Sequence, residues 1–211
     1  MFQSFTETAR PDQGPPRLAR LRRAMAEAGL AGFLVPRADA HQGEYVAPCD
    51  NRLAWLTGFT GSAGLCAVLN DVAGLFVDGR YRVQARAQTD TDHFTPVDWP
   101  QVKPGPWLAR HLPEGGPVGF DPWLWTPQQI DEIAAALPEA VRLVPSDNLV
   151  DAVWPDRPAP PQGPIRAWPD ELARRAGRRH HAQRFAGLAA QHPWQRHPPQ
   201  PGAARLCHPA R

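Results

Sequence analysis

With 211 residues, 42% of them apolar, the chain is long enough to bury a substantial core, and no apolar run reaches the roughly 18 residues that a membrane span requires. The formal charge of +2 averages two unlike segments: residues 1–173 carry 15 basic and 21 acidic side chains, a net −6, whereas residues 174–211 carry 8 basic side chains and no acid. Cys49, Cys66 and Cys207 are odd in number and far apart, which fits free thiols in a reducing compartment better than a disulfide framework, and residues 1–7 lack the basic and apolar regions of a signal peptide, so a cytoplasmic protein is expected.

Residues 1–16, polar and punctuated by Pro11, Pro15 and Pro16, read as a leader. Leu18, Leu21, Met25 and Ala28 then recur at helical spacing, and Gly29 stands where a helix ends. Arg17, Arg20, Arg22 and Arg23 lie off that stripe and read as a solvated face rather than a nucleic-acid contact. Residues 32–36, Gly-Phe-Leu-Val-Pro, form a buried strand that proline stops. The connection over residues 37–64 is long and rich in specific side chains, and such segments serve ligands or interfaces. Within it His41 and Glu44 would share one face of a helical turn, but two potential ligands without a third do not make a metal site. Gly58, Gly61 and Gly64 precede a strand rather than a helix, so they serve a tight backbone turn and not a phosphate cradle.

Residues 65–69 and 74–77 flank Asn70-Asp71-Val72-Ala73 as a hairpin, and the second strand ends in Asp78-Gly79-Arg80-Tyr81, from which a helix runs to about Gln88. An arginine just past the carboxyl end of a strand in an α/β sheet points into the crevice where such folds bind ligands. A surface arginine that caps its own loop is the other reading of Arg80, and local sequence leaves both open. An edge strand follows near residues 93–97, and then a helix opened by Pro104 that carries Trp107, Leu108 and Leu112. After a strand at residues 117–121, Thr126 caps a helix with Pro127 at its first position, Gln129 at the capping-box position, and a stripe of Ile130, Ile133, Ala134 and Leu137. A last strand spans residues 141–144, and residues 148–154 add a helical turn or two. The alternation predicts an α/β fold: a mixed sheet with helices on both faces.

Several runs together carry a family resemblance: Asp39-Ala40-His41-Gln42, Glu44-Tyr45-Val46-Ala47-Pro48-Cys49-Asp50, Gly58-Phe59-Thr60-Gly61-Ser62-Ala63-Gly64, Asp78-Gly79-Arg80-Tyr81, Asn148-Leu149-Val150-Asp151 with Trp154, and Asp156-Arg157-Pro158. Over residues 17–173 the chain resembles the N-terminal, creatinase/prolidase-type domain of the Xaa-Pro aminopeptidases of the long, three-domain cytosolic kind. The resemblance implies a mixed six-stranded sheet over residues 17–160 and a peptidase that removes the first residue from peptides with proline second. It also implies that Arg80 reaches the peptide substrate, with Asp78, Gly79 and His41 in support. Family catalysis belongs to a C-terminal domain in which two Asp, one His and two Glu hold two divalent metals, usually manganese, that activate a hydroxide. Residues 1–173 offer only His41, His93 and His111, so no catalytic residue, metal ligand or cofactor is assigned to this chain, and inactivity alone is expected. A stand-alone module that binds a small carboxylate or peptide end at Arg80 is the alternative.

Residues 161–173 read as a linker into a second domain that is missing. Residues 174–211, a mixture of Arg, His, Pro and Ala without Val, Ile, Asp or Glu, cannot bury enough surface to offset chain entropy, so disorder or a lone helix near residues 180–190 is expected. The tail is either a basic arm for nucleic acid or the product of a changed reading frame near Ala173. Its composition, in a chain with one lysine and 22 arginines, favours the latter. Uncovered apolar surface around Trp154 and Trp168 predicts self-association.

Overall fold

The computed structural model describes residues 9–163, and the fold is that of the first of the two units into which the chain divides, Met1–Pro161. Its core is one six-stranded sheet in the order β4-β3-β2-β1-β5-β6. The strands are β1 (Gly32–Pro36), β2 (Leu65–Leu69), β3 (Ala73–Val77), β4 (Thr95–Asp98), β5 (Gly116–Phe120) and β6 (Val141–Pro145). β2 runs antiparallel to both β1 and β3, while the β1–β5, β3–β4 and β5–β6 pairs are parallel. Five strands therefore end on the same edge of the sheet, as the alternation of elements and the single hairpin lead one to expect.

The three central strands are buried along their whole length, which is why they read as continuous apolar runs. Strand alternation sorts their side chains into two cores. Phe33, Val35, Cys66, Val68, Leu75 and Val77 face one helical layer, α1 (Gly14–Glu27), α2 (Arg52–Thr57) and α6 (Leu149–Val153), with Ala85 of α3 (Arg82–Gln88). Leu34, Ala67, Leu69 and Phe76 face the other layer, formed by α4 (Pro104–His111) and α5 (Pro127–Ala134). Gly74 lets the α4 layer approach: a Cβ there would lie 2.7 Å from the Trp107 ring, which packs edge-on against Phe76 at 5.6 Å.

α1 begins at Gly14, inside the stretch read as a leader, because Pro15 and Pro16 in the first turn forfeit no hydrogen bond that a helix could make. It ends where Gly29 predicts. Gly29, at φ +66°, donates to the Ala26 carbonyl and Leu30 donates to that of Met25, the paired closure of a left-handed C-terminal cap. Ala28 and Ala134, placed on apolar stripes by their spacing, are exposed; Leu30 instead completes the first core and Ile130 and Ile133 the second. The Thr126–Gln129 capping box forms as predicted.

Residues 37–64 depart most from expectation, because they contain α2, which sequence reasoning read as loop. Leu53 and Leu56 point into the first core, and Gly58 stops the helix at φ +86°, where an added Cβ would lie 2.5 Å from the Gln88 carbonyl. Trp154 is another correction. Expected on an uncovered surface, it is 8% exposed and stacks on Trp55 at 5.1 Å and 15°, with the Arg17 guanidinium 4.8 Å from the centre of the Trp55 ring. Trp168, the linker beyond residue 163 and the basic tail lie outside the described residues.

Candidate functional site

The shared carboxyl edge gathers Arg37 after β1, Asp78-Gly79-Arg80-Tyr81 after β3, Trp99 after β4 and Asp121 after β5. Asp78 organises the turn after β3. Its carboxylate accepts from the Arg80 backbone N–H at 2.9 Å and from the Arg80 side chain in a fork, Nε at 3.0 Å and Nη2 at 2.8 Å. The Arg80 side chain is nonetheless 67% exposed, and Nη1 has no hydrogen-bond partner among the described residues. Its guanidinium lies 5.0 Å from the centre of the Tyr81 ring, and the Tyr81 hydroxyl bonds Ser62. Tyr81 meets Phe59 edge-on at 5.6 Å, and Gln88 holds both the backbone N–H and the hydroxyl of Thr60 at 3.0 Å. The Asp-Gly-Arg-Tyr run and the Gly-rich run before β2 thus form one surface, a juxtaposition that their spacing does not reveal.

Arg80 caps its own loop, as the second reading has it, and the rest of its guanidinium is open to solvent rather than in the cavity. The bond from the Arg80 side chain holds the Asp78 carboxyl below the usual carboxylate range, and the Ser62 bond draws the Tyr81 phenol below its own. A depressed acid stabilises the folded form above its unfolded pKa of about 3.9 and loses that contribution as pH falls through the lower folded value. A carbon-13 NMR titration of Asp78 should therefore show a midpoint below about 3.9 that returns to the ordinary range in Arg80→Ala; an unchanged midpoint in the variant would refute the pairing.

The helical turn that would place His41 beside Glu44 does not form. Asp39 instead accepts from the backbone N–H groups of His41 and Gly43, both at 2.9 Å, and Gln42 takes φ +54°. His41 is exposed in that turn, and Arg37 fastens the turn's far end through the Glu44 carbonyl at 3.1 Å. Beneath this loop lies a cavity of ≈ 720 Å³ bounded by Arg37, Ser62, Trp99, Lys103, Trp125 and other residues. Asp78, Gly79, Arg80 and His41 do not line it.

Sequence reasoning missed a buried charge cluster on the α6 side. Arg52, whose side chain is 6% exposed, donates to Asp151 at 2.6 and 2.9 Å and to Asp50 at 3.0 Å. Arg157 donates to Asp151 at 2.7 Å and to the Cys49 carbonyl at 2.8 Å. Asn148 caps α6 through the backbone N–H groups of Val150 and Asp151 and donates to Asp121 at 3.0 Å. The only available signal was the scatter of unlike charges at residues 50, 52, 151 and 157, which adjacency in sequence does not pair. Burial pushes the Cys49 and Cys66 thiols up from their ordinary range, so neither is an activated nucleophile.

A doubly covered mixed sheet with an acid-anchored arginine at its carboxyl edge defines a three-layer α/β lobe. The chain belongs to the creatinase/prolidase N-terminal domain family, whose model matches residues 17–153. It is 39% identical over 165 residues to Xaa-Pro aminopeptidase 2 of Sus scrofa, covering 74% of this chain and 24% of that protein. It is 39% identical over 181 residues to the probable Xaa-Pro aminopeptidase P of Coccidioides posadasii, covering 80% of this chain and 27% of that one. The chain thus spans about a quarter of the length of the curated relatives it matches. Among solved structures, the cytosolic X-prolyl aminopeptidase of Caenorhabditis elegans, described with a di-nuclear active site, superposes with a TM-score of 0.61 at 33% identity, covering 69% of this chain and 26% of that one. The N-terminal domain of the cytoplasmic peptidase PepQ from Mycobacterium tuberculosis gives 0.51 at 29% identity, covering 65% of this chain and 98% of that domain.

Proposed function

We propose that this chain supplies the non-catalytic, peptide-contacting lobe of an Xaa-Pro aminopeptidase of the cytoplasm. Arg80 would bind the peptide, Asp78 and Gly79 would shape its turn, and His41 would support it from the loop after β1. The observation that carries the reading is the Asp78–Arg80 fork, which fixes a guanidinium on one side and leaves the other open at the carboxyl edge. A carboxylate or peptide carbonyl is the natural acceptor for that open side, and little rotamer freedom remains to be lost on binding. The names of the relatives supply the substrate class, a peptide with proline second.

Among the described residues no three His, Cys, Asp or Glu side chains converge as a metal site, so no residue here is assigned to the two manganese ions that the resemblance implies, and no hydrolytic step is routed through this lobe. Among those residues, too, no helix is long and apolar enough to cross a membrane.

Two measurements test the proposal. The Nε–H resonance of Arg80, assigned through Arg80→Lys, should move saturably when an X-Pro dipeptide is added; a resonance unmoved at millimolar peptide removes the substrate role. The purified chain supplied with manganese should release no amino acid from an X-Pro peptide, and release would overturn the non-catalytic assignment.

A further inference from the structure

The chain builds β1 to β4 outward on one side of β1 and then returns to add β5 and β6 on the other, so the strand order reverses between the parallel neighbours β1 and β5. Connections leave the carboxyl ends of such a pair in opposite directions and open a crevice, the place where α/β sheets hold ligands. The ≈ 720 Å³ cavity lies there, with Arg37 just past β1 and Leu124 and Trp125 past β5. Its volume falls in the range of small-molecule sites, about 300–1,000 Å³.

Two features of its walls point to an occupant. Arg37 and Lys103 have no carboxylate partner among the described residues, and Glu44 and Glu132, which line the same cavity, have no cationic one. Trp125 is 6% exposed, and its indole N–H is buried without an acceptor among the described residues. Charges of both signs around an apolar wall of Trp99, Leu124 and Trp125 are best satisfied by a molecule that is itself zwitterionic and carries an apolar side chain.

We propose that this cavity is a binding site for an amino acid or short peptide with an apolar side chain. Arg37 and Lys103 take the carboxylate, and Glu44 or Glu132 takes the ammonium group. Arg37 is pre-set for this role, because one of its nitrogens is already spent on the Glu44 carbonyl. The site shares no residue with the Asp78–Arg80 fork and does not depend on the role given to Arg80.

Lys103 is the chain's only lysine, so reductive methylation with carbon-13 formaldehyde labels it and the N-terminal amine alone while keeping the charge. Titrating L-phenylalanine or phenylalanyl-glycine into the labelled full chain should shift the Lys103 methyl signal saturably, and the tighter of the two tells a free amino acid from a peptide end. Phenylalaninamide and N-acetylphenylalanine, each lacking one charge, should bind at least about tenfold more weakly, and Arg37→Gln should lose a similar factor. Arg142→Gln, at an exposed position of β6 that does not line the cavity, should bind as the parent does. The proposal is overturned if neither zwitterion gives a saturable shift, if the singly charged analogues bind equally well, or if affinity falls no more in Arg37→Gln than in Arg142→Gln. Near-UV circular dichroism confirms that each variant is folded. The role of Arg80 is read at its own resonance, so failure of one proposal leaves the other standing.

Discussion

Arg52→Ala is expected to lower the stability of the domain by about 3 kcal/mol, because it strips the shared cation from two carboxylates, Asp50 just before α2 and Asp151 on α6. Asp50 and Asp151 remain 25% and 24% exposed, so water compensates them in part, and the loss belongs at the lower end of what a broken buried pair costs. Arg157 still reaches Asp151 at 2.7 Å and, more weakly, Asp50 at 3.5 Å, which limits the damage. Thermal and urea unfolding followed by circular dichroism measure the effect, with a midpoint fall of about 2–4 °C for each kcal/mol in a domain of this size. Asp151→Ala combined with Arg52→Ala should cost clearly less than the sum of the single changes, since each removes the same interaction. Additive losses, or a loss under about 1 kcal/mol for Arg52→Ala, would show that the cluster is a solvated surface network.

Trp154→Ala is expected to cost about 3–5 kcal/mol. The indole seals the first core at its α6 end and stacks on Trp55, which in turn rests under Arg17, so its removal opens a cavity against three elements that cannot all close on it. Trp123, 64% exposed, is the internal control: Trp123→Ala should change stability by no more than about 0.5 kcal/mol. Equal effects of the two substitutions on the urea midpoint would contradict the burial of Trp154. The same burial removes Trp154 from any self-associating surface.

The elements were largely legible because each leaves a local signature. Thr126, Pro127 and Gln129 announce the start of α5, Gly29 announces the end of α1, and the apolar runs at residues 65–69 and 74–77 announce a hairpin. α2 was not legible: six residues are too few for a helical period to register, and tertiary contacts of Leu53, Trp55 and Leu56 hold it. Arg80 was found at the end of its strand from sequence, but the Tyr81–Ser62 bond beside it was not, because a bond across 19 positions leaves no trace in spacing.

Composition and pattern alone determined the α/β class, the doubly covered sheet and the strand-end place of Arg80. Those features follow from local propensity and from the two periods at which side chains recur along helices and strands. Only the tertiary structure decided that Arg52 meets Asp151 across 99 positions, and that Arg37 and Lys103 line one cavity that Arg80 does not. Pairings of that kind depend on strand order, and strand order is fixed by which faces bury together rather than by any residue's neighbours in the chain.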